Sequence, residues 1–169
     1  KAWYKTYELP IIITNCSNNF GPWQFPEKLV PVIIYNALKK KKIPIYGNGE
    51  NIRDWIDVND HINGLYLVFK KGRIGERYNI GTSNELSNIE ICKKICKILI
   101  KKADNNYNYS KLISFVKDRK GHDYRYAIDN TKIKKELNFK SKYQFDESLE
   151  NTVMWYLENI SWVKSKLKK

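Results

Sequence analysis

Short apolar runs alternate with amphipathic stretches along the chain. The run Ile11-Ile12-Ile13-Thr14 is β-branched and lacks polar alternation, a pattern typical of a strand buried on both faces of a parallel sheet. Two alternating runs within residues 43–58 flank Gly47-Asn48-Gly49 and predict a β-hairpin or a tight strand-turn-strand unit. Further strands are predicted over residues 77–81 and 113–116. Helical spacing predicts helices over residues 2–8, 29–42, 89–101, 131–137 and 146–159, and another from a cap at Asn59 or Asp60 to residue 71.

This alternation of strands and helices predicts α/β or α+β packing. It holds too few strands for a complete doubly wound sheet, and the first residue is Lys rather than Met, so we expect the chain to be part of a longer protein. Residues 11–13 would then form a central strand with neighbours missing on one side, leaving a bare strand edge and an exposed apolar face. Segments rich in Asn, Gly, Pro or charge predict loops over residues 15–28, 102–111 and 118–125.

Composition excludes several classes of protein. The chain has 169 residues, 42% hydrophobic and 14% aromatic, which suffices for a packed core and excludes wholesale disorder. No apolar run approaches the ~18 residues of a membrane span, and the N-terminus lacks the pattern of a signal peptide. The three cysteines, Cys16, Cys92 and Cys96, are an odd number at scattered spacing. They predict a reducing, cytoplasmic setting with neither a disulfide framework nor a metal site.

Charge leaves two interpretations open. The chain has 31 Lys and Arg against 18 Asp and Glu, a net charge of +13, with lysines concentrated at 39–42 and at 164, 166, 168 and 169. A nucleic-acid site would favour Arg with interleaved aromatic residues, whereas these lysines fall at predicted helix ends, where cations complement the helix dipole. We favour a solvated surface, with a non-enzymatic polyanion-binding domain as the alternative.

Two short patterns carry little information. Tyr-x-x-x-Lys occurs at Tyr35/Lys39, Tyr66/Lys70 and Tyr107/Lys111, about as often as chance predicts in a chain with 12 tyrosines and abundant lysine. Gly47-Asn48-Gly49 begins like a dinucleotide fingerprint, but Ile52 occupies the position of the third glycine. We interpret that segment as a turn.

Three longer strings are more informative. NNFGP, residues 18–22, follows the carboxyl end of a buried strand, where α/β sheets bind ligands, although Asn is also a common turn former. In YGNGENIRDW, residues 46–55, Tyr46 could stack on a base and Arg53 could bind a phosphate, unless Arg53 merely pairs with Asp54 at the surface. DRKGHDYRYAID, residues 118–129, gathers acids, arginines and a histidine around one glycine. Together they indicate a pocket for a phosphorylated, hydroxyl-rich ligand.

These strings, with ERYNIGTSNE and TVMWYLEN, resemble the C-terminal part of the dTDP-glucose 4,6-dehydratases, within the extended short-chain dehydrogenase/reductase superfamily. The resemblance runs over residues 2–159. Lys120 stands where the family usually has Pro, and Asp57 where an aromatic residue is common. The implied fold is α/β: a few Rossmann elements plus the smaller α+β substrate-binding domain, with the NAD-binding N-terminal part missing from residues 1–169.

The resemblance also implies roles for individual residues. Asn18 and Arg53 would bind the diphosphate, Asn19 would lie near the nicotinamide end of NAD, and His122 would contact the nucleotide unless it is a structural loop residue. The full set implied for the nucleotide sugar is Asn18, Lys28, Leu29, Pro44, Tyr46, Arg53, Asn88, Asp118, Arg119 and His122.

The implied activity of the whole enzyme is the NAD-dependent conversion of dTDP-glucose to dTDP-4-keto-6-deoxyglucose and water, in a cytoplasmic homodimer that makes deoxysugars. A 4,6-dehydratase acting on UDP-glucose is the near alternative. The family's catalytic tyrosine-lysine pair, threonine, acid/base pair and NAD fingerprint would lie upstream of residue 1, so we expect no catalytic residue in this chain and no activity from it alone.

Overall fold

The computed structural model describes residues 2–104 and 106–167, and that part of the chain is an α/β fold. Its strands are β1 Ile13–Cys16, β2 Asn18–Phe20, β3 Ile43–Tyr46, β4 Ile52–Asp57, β5 Arg77–Ile80, β6 Glu85–Ser87, β7 Ile113–Val116 and β8 Arg125–Tyr126. Its α-helices are α1 Ala2–Tyr7, α2 Leu29–Leu38, α3 Val58–Lys71, α4 Asn88–Lys102, α5 Thr131–Leu137, α6 Phe145–Glu158 and α7 Ile160–Lys166. None of these helices is long and apolar enough to cross a membrane.

Strand β4 organises the part of the fold that carries the candidate site. It pairs in parallel with β2 and β8 and antiparallel with β6. Two further sheets are parallel pairs, β1 with β5 and β3 with β7. Because parallel strands need long connections, segments far apart in sequence meet at the ends of these strands.

The predicted hairpin around Gly47-Asn48-Gly49 is wrong, and the strand-turn-strand alternative is confirmed. β3 and β4 follow each other across the turn but pair with different strands, so each belongs to its own sheet. Gly47 and Gly49 have φ angles of 58° and 77°, and the Gly49 amide donates to the Tyr46 carbonyl at 3.1 Å. The turn therefore redirects the chain between two sheets.

Two apolar clusters form the core. The larger one joins α2, α4 and α6, with Ile91, Ile95 and Leu99 of α4 fully buried as their spacing predicts. The smaller one packs α3 and α5 against β4 and β5 through Ile56, Val68, Tyr78, Ile80 and Ile133.

Helix α3 is confirmed, but most of its large apolar residues do not face the core. It buries Asp60, Gly64 and Val68, and the absence of a side chain on Gly64 allows contact with Ile80. The opposite face exposes four large apolar side chains: Ile62, Leu65, Tyr66 and Phe69. Strand β1 pairs only with β5 in the described part of the chain, in line with the predicted bare edge.

Several boundaries differ from the prediction. The first strand begins at Ile13 rather than Ile11, and α2 ends at Leu38 because Lys40 adopts a positive φ of 52°. The cap of α3 is Asp57, which accepts from the Asn59 amide at 2.7 Å. The predicted 102–111 loop contains a 3-10 helix, Tyr109–Leu112, with Tyr109 buried. β2, β6, β8 and α7 were not predicted, and β8 begins at Arg125, the last residue of the predicted 118–125 loop. Lys1, Asn105, Lys168 and Lys169 lie outside the described residues.

Candidate nucleotide site

A cavity of about 460 Å³ brings together nearly all of the residues that the resemblance singled out. Its wall draws on segments spread over more than 100 positions of the sequence. Nine of the ten predicted residues line it: Asn18, Lys28, Leu29, Pro44, Tyr46, Arg53, Asn88, Arg119 and His122. The tenth, Asp118, does not line the cavity but is hydrogen-bonded to His122, which does.

The strands and helix ends explain this convergence. Arg53 and Trp55 are two positions apart in β4, so both side chains point to the same face of the strand. Asn18 of β2 pairs with Trp55, which brings its carboxamide to that face. Tyr46 ends β3, and Asn88 begins α4, its amide donating to the Asn51 carbonyl at 3.1 Å.

Arg53 is the buried cation of the cavity. The residue is 9% exposed, and its guanidinium donates to the carbonyl oxygens of Ile52 at 2.6 Å and Asp123 at 2.9 Å. No carboxylate of the described residues forms an ion pair with it. The alternative of an Arg53–Asp54 surface pair is wrong, because Asp54 is fully buried and accepts from the amide of Asn84. A buried charge held only by neutral carbonyls is well suited to an anionic ligand.

The loop from Asp118 to Asp123 contributes a second cation and a histidine. Nδ1 of His122 lies 2.7 Å from Oδ1 of Asp118, and Nε2 lies 2.9 Å from a terminal nitrogen of Arg119. The Arg119 guanidinium lies 5.1 Å from the centre of the Tyr46 ring, within cation–π range. The hydrogen bond from His122 lowers the pKa of the Asp118 carboxyl below its usual value, so this carboxyl is ionised at neutral pH.

Three wall residues were not predicted: Glu27, Val32 and Trp55. Trp55 could have been found from strand alternation, since it follows Arg53 by two positions. Val32 lies one turn after Lys28 on α2 and adds apolar surface beside Leu29. Glu27 forms an exposed ion pair with Lys28 at 2.9 Å.

Asn19 lies at a separate, smaller cavity of about 270 Å³. Its Nδ2 donates to the Ser17 carbonyl, and Gln24 donates to the carbonyl of Asn19. Oδ1 of Asn19 and Oε1 of Gln24 are buried, with no hydrogen-bond partner in the described part of the chain. Asn19 therefore lies apart from the main cavity, on the wall of a pocket that is otherwise mainly apolar.

The two departures from the family pattern have different surroundings. Asp57 caps α3 and accepts a hydrogen bond from Ser148 of α6, so it joins two helices. Lys120 lines a hollow of about 210 Å³ beside the main cavity, shared with Arg53, Arg119 and His122. Neither departure removes a polar group from the cavity wall.

None of the three Tyr-x-x-x-Lys matches lines the main cavity. Tyr66 and Lys70 lie on the exposed face of α3, with the lysine nitrogen 5.6 Å from the centre of the Tyr66 ring. Within the described ranges, no cluster of three His, Cys, Asp or Glu side chains could hold a metal ion. What the site offers is recognition of an anion beside an aromatic and apolar wall.

Comparisons with known proteins agree with the motifs. The profile of the family described as GDP-mannose 4,6 dehydratase matches residues 1–152. A probable dTDP-glucose 4,6-dehydratase of Sinorhizobium fredii is 53% identical over 161 residues, which cover 95% of this chain and 46% of that protein. The dTDP-glucose 4,6-dehydratase 1 of Escherichia coli K12 is 50% identical over 96% of this chain and 45% of its own length.

Solved structures give the same result for the fold. The dTDP-glucose 4,6-dehydratase of Bacillus anthracis, in complex with NAD, superposes with a TM-score of 0.88 at 48% identity, over 98% of this chain and 50% of that one. The chain thus spans about half the length of the relatives it matches. These matches confirm the resemblance and the α/β class predicted from the sequence.

Proposed function

The chain belongs to the GDP-mannose 4,6 dehydratase family, and we propose that it is the C-terminal, substrate-binding part of an NAD-dependent dTDP-glucose 4,6-dehydratase. The observation that carries this proposal is the buried Arg53 guanidinium, which has only neutral partners and lies in a cavity with Arg119. A diphosphate would supply the missing negative charge.

The polar and the apolar residues of the cavity wall suit the two ends of a nucleotide diphosphate. Arg53 and Arg119 would hold the phosphates through charge-assisted hydrogen bonds, and the Asn18 carboxamide would add a donor beside them. The aromatic ring of Tyr46 and the apolar surface of Leu29 and Val32 would take the base. Asn88, Pro44 and Lys28 also line the cavity.

In the whole enzyme we propose the conversion of dTDP-glucose to dTDP-4-keto-6-deoxyglucose and water. NAD, when bound, would accept hydride from C4 of the hexose and return it to C6. Asn19, which lines the smaller cavity, would lie near its nicotinamide end. This chain's part is to bind and orient the nucleotide sugar. We place the proton-transferring residues outside it, because none of its three Tyr-x-x-x-Lys matches lines the cavity.

The setting, the assembly and the nucleotide preference of the whole enzyme belong to the same proposal. The free thiols of Cys16, Cys92 and Cys96 fit a cytoplasmic enzyme. A homodimer would form in the whole protein, as the resemblance implies. The two candidate nucleotides, dTDP and UDP, differ by the C5 methyl group of thymine and by the 2′-hydroxyl group of the UDP ribose.

Calorimetry and thermal melting of this 169-residue chain with dTDP and with UDP test the proposal. We expect dTDP to bind and raise the melting temperature, with UDP weaker, and no turnover of dTDP-glucose. Tighter binding of UDP would favour the UDP-glucose alternative. Retention on immobilised heparin without any effect of dTDP would favour a polyanion-binding domain, and turnover by the purified chain would contradict the assignment of proton transfer to other residues.

A further inference from the structure

The imidazole of His122 is enclosed between a carboxylate and a guanidinium. Its side chain is 4% exposed, whereas Asp118 and Arg119 on either side of it reach solvent. Asp118 is itself held in place, since its Oδ1 also accepts from the Arg119 amide at 2.8 Å. The turn at Gly47 allows the close approach of Asp118, because a Cβ there would lie only 2.9 Å from Oδ2.

These contacts select one tautomer of the histidine. The ionised Asp118 carboxylate can only accept, so Nδ1 of His122, 2.7 Å away, carries the hydrogen. Nε2 is then left with a lone pair, and it faces a terminal N–H group of Arg119 at 2.9 Å. Nε2 is therefore an acceptor for the guanidinium, which cannot serve as an acceptor itself.

Arg119 needs such a partner in order to keep one orientation. It is an exposed residue without a carboxylate in ion-pair distance among the described residues, and an unrestrained arginine samples many rotamers. The Nε2 acceptor on one side and the Tyr46 ring on the other limit the guanidinium to the cavity wall. Ordering before binding removes part of the entropic cost of binding.

We propose that His122 is a positioning residue, which uses Nε2 to hold the Arg119 guanidinium toward the cavity while Asp118 fixes the hydrogen on Nδ1. This role rests on the proposed function in one respect, namely that Arg119 binds the diphosphate. It differs from direct contact between His122 and the nucleotide, because the effect of His122 then passes entirely through Arg119.

Nitrogen NMR of the unliganded chain tests the contact without any ligand. His61 and His122 are the only histidines, so a His61→Gln variant assigns both signals. In the wild type we expect His122 to carry its hydrogen on Nδ1. In the Asp118→Asn variant we expect a mixture of the two His122 tautomers and an unchanged His61 signal. A His122 that carries its hydrogen on Nε2 in the wild type would overturn the proposal.

A double-mutant cycle on dTDP affinity tests the consequence. We expect Arg119→Ala to weaken binding about tenfold, His122→Phe to cause most of the same loss, and the double variant to be no weaker than Arg119→Ala. His122→Gln, which keeps an acceptor, should restore at least half of the lost affinity, and it also covers the case in which the Phe variant fails to fold. Additive losses would overturn the proposal in favour of direct contact. If His122 of the wild type carries its hydrogen on Nδ1 but the chain binds no dTDP, the proposed function is overturned instead.

Discussion

The guanidinium of Arg53 donates to the backbone carbonyl of Asp123 at 2.9 Å, and this bond ties β4 to the loop that carries Arg119 and His122. The strand and the loop are about 70 positions apart in sequence. The same side chain thus helps to fix the loop and supplies the buried positive charge of the cavity. The bond consumes one donor of the guanidinium, and other donors of its planar fork are available to a ligand.

Replacement of Arg53 by Ala should weaken nucleotide binding more than it weakens the fold. Loss of a charge-assisted hydrogen bond costs about 1.5–3 kcal/mol, equivalent to roughly 10- to 100-fold in the dissociation constant of dTDP. Arg53→Lys should lie between Ala and the wild type, because lysine keeps the charge but not the fork. Calorimetry with dTDP measures both.

The control for this series is Arg73→Ala, which removes an arginine paired with Glu136 at 2.7 Å, outside the cavity. It should leave dTDP affinity unchanged. If Arg53→Ala bound dTDP as tightly as the wild type, the assignment of the diphosphate to Arg53 would be wrong.

Ser87→Ala should destabilise the chain by about 1 kcal/mol, because Ser87 caps α4. Its Oγ accepts from the Glu90 amide at 3.3 Å, and the Glu90 carboxylate accepts from the Ser87 amide at 2.8 Å. For a chain of this size the melting temperature should fall by about 2–4 °C. Ser87→Thr keeps the hydroxyl, which also donates to the Glu90 carboxylate at 2.6 Å, and should lose less. Equal melting temperatures for Ala and the wild type would contradict the capping assignment.

Asp54→Asn should raise the melting temperature at neutral pH. Burial raises the pKa of the Asp54 carboxyl, so the folded state is penalised for holding it ionised. That penalty is present at neutral pH and is relieved as the pH falls through the raised pKa. The advantage of Asn, which can still accept from the Asn84 amide, should therefore shrink in acid.

Glu85→Gln is the control for Asp54→Asn, because it should change the melting temperature in the opposite direction. The hydrogen bonds from Arg125 lower the pKa of the Glu85 carboxyl, so its stabilising effect exists above the pKa of the unfolded chain and is lost as the pH falls through the lowered value. This variant should melt lower than the wild type at neutral pH, with the difference vanishing in acid. If both variants changed the melting temperature at neutral pH in the same direction, the burial argument for Asp54 would be contradicted.

Hydrophobic periodicity and capping residues predicted the helices and strands that are specified by neighbouring residues in the sequence. The helix over Thr131–Leu137 and the strand over Ile113–Val116 appear at the predicted bounds. β2 was missed because its residues, Asn18–Phe20, have no strand pattern of their own; it exists only through pairing with β4. The burial of Arg53 and its hydrogen bond to Asp123 likewise depend on residues that are distant in sequence. The periodicity of a local segment does not predict such contacts.

The face of α3 shows a further limit of periodicity. The spacing of apolar residues predicts a helix, but it does not show which side of the helix is covered by the rest of the protein. In α3, Gly64 and Val68 are buried, whereas Phe69 is 80% exposed. Tyr66 and Ile62 extend the same exposed stripe. Strand β1, which has an unpaired edge, pairs with β5, and α3 packs against β5 as well. Exposed apolar stripes and bare strand edges promote association.

We therefore expect this chain to self-associate in a concentration-dependent way, and Phe69→Glu to weaken that association. Burial of a Phe side chain is worth about 1.5–3 kcal/mol, so the dissociation constant should rise about tenfold or more. Sedimentation velocity over a concentration series measures the change. Phe115→Glu places the same charge on an exposed Phe of β7, in a different sheet, and should have little effect. If Phe115→Glu weakened association as strongly, or if the wild type sedimented as a monomer at every concentration, the α3 face would not be the surface responsible.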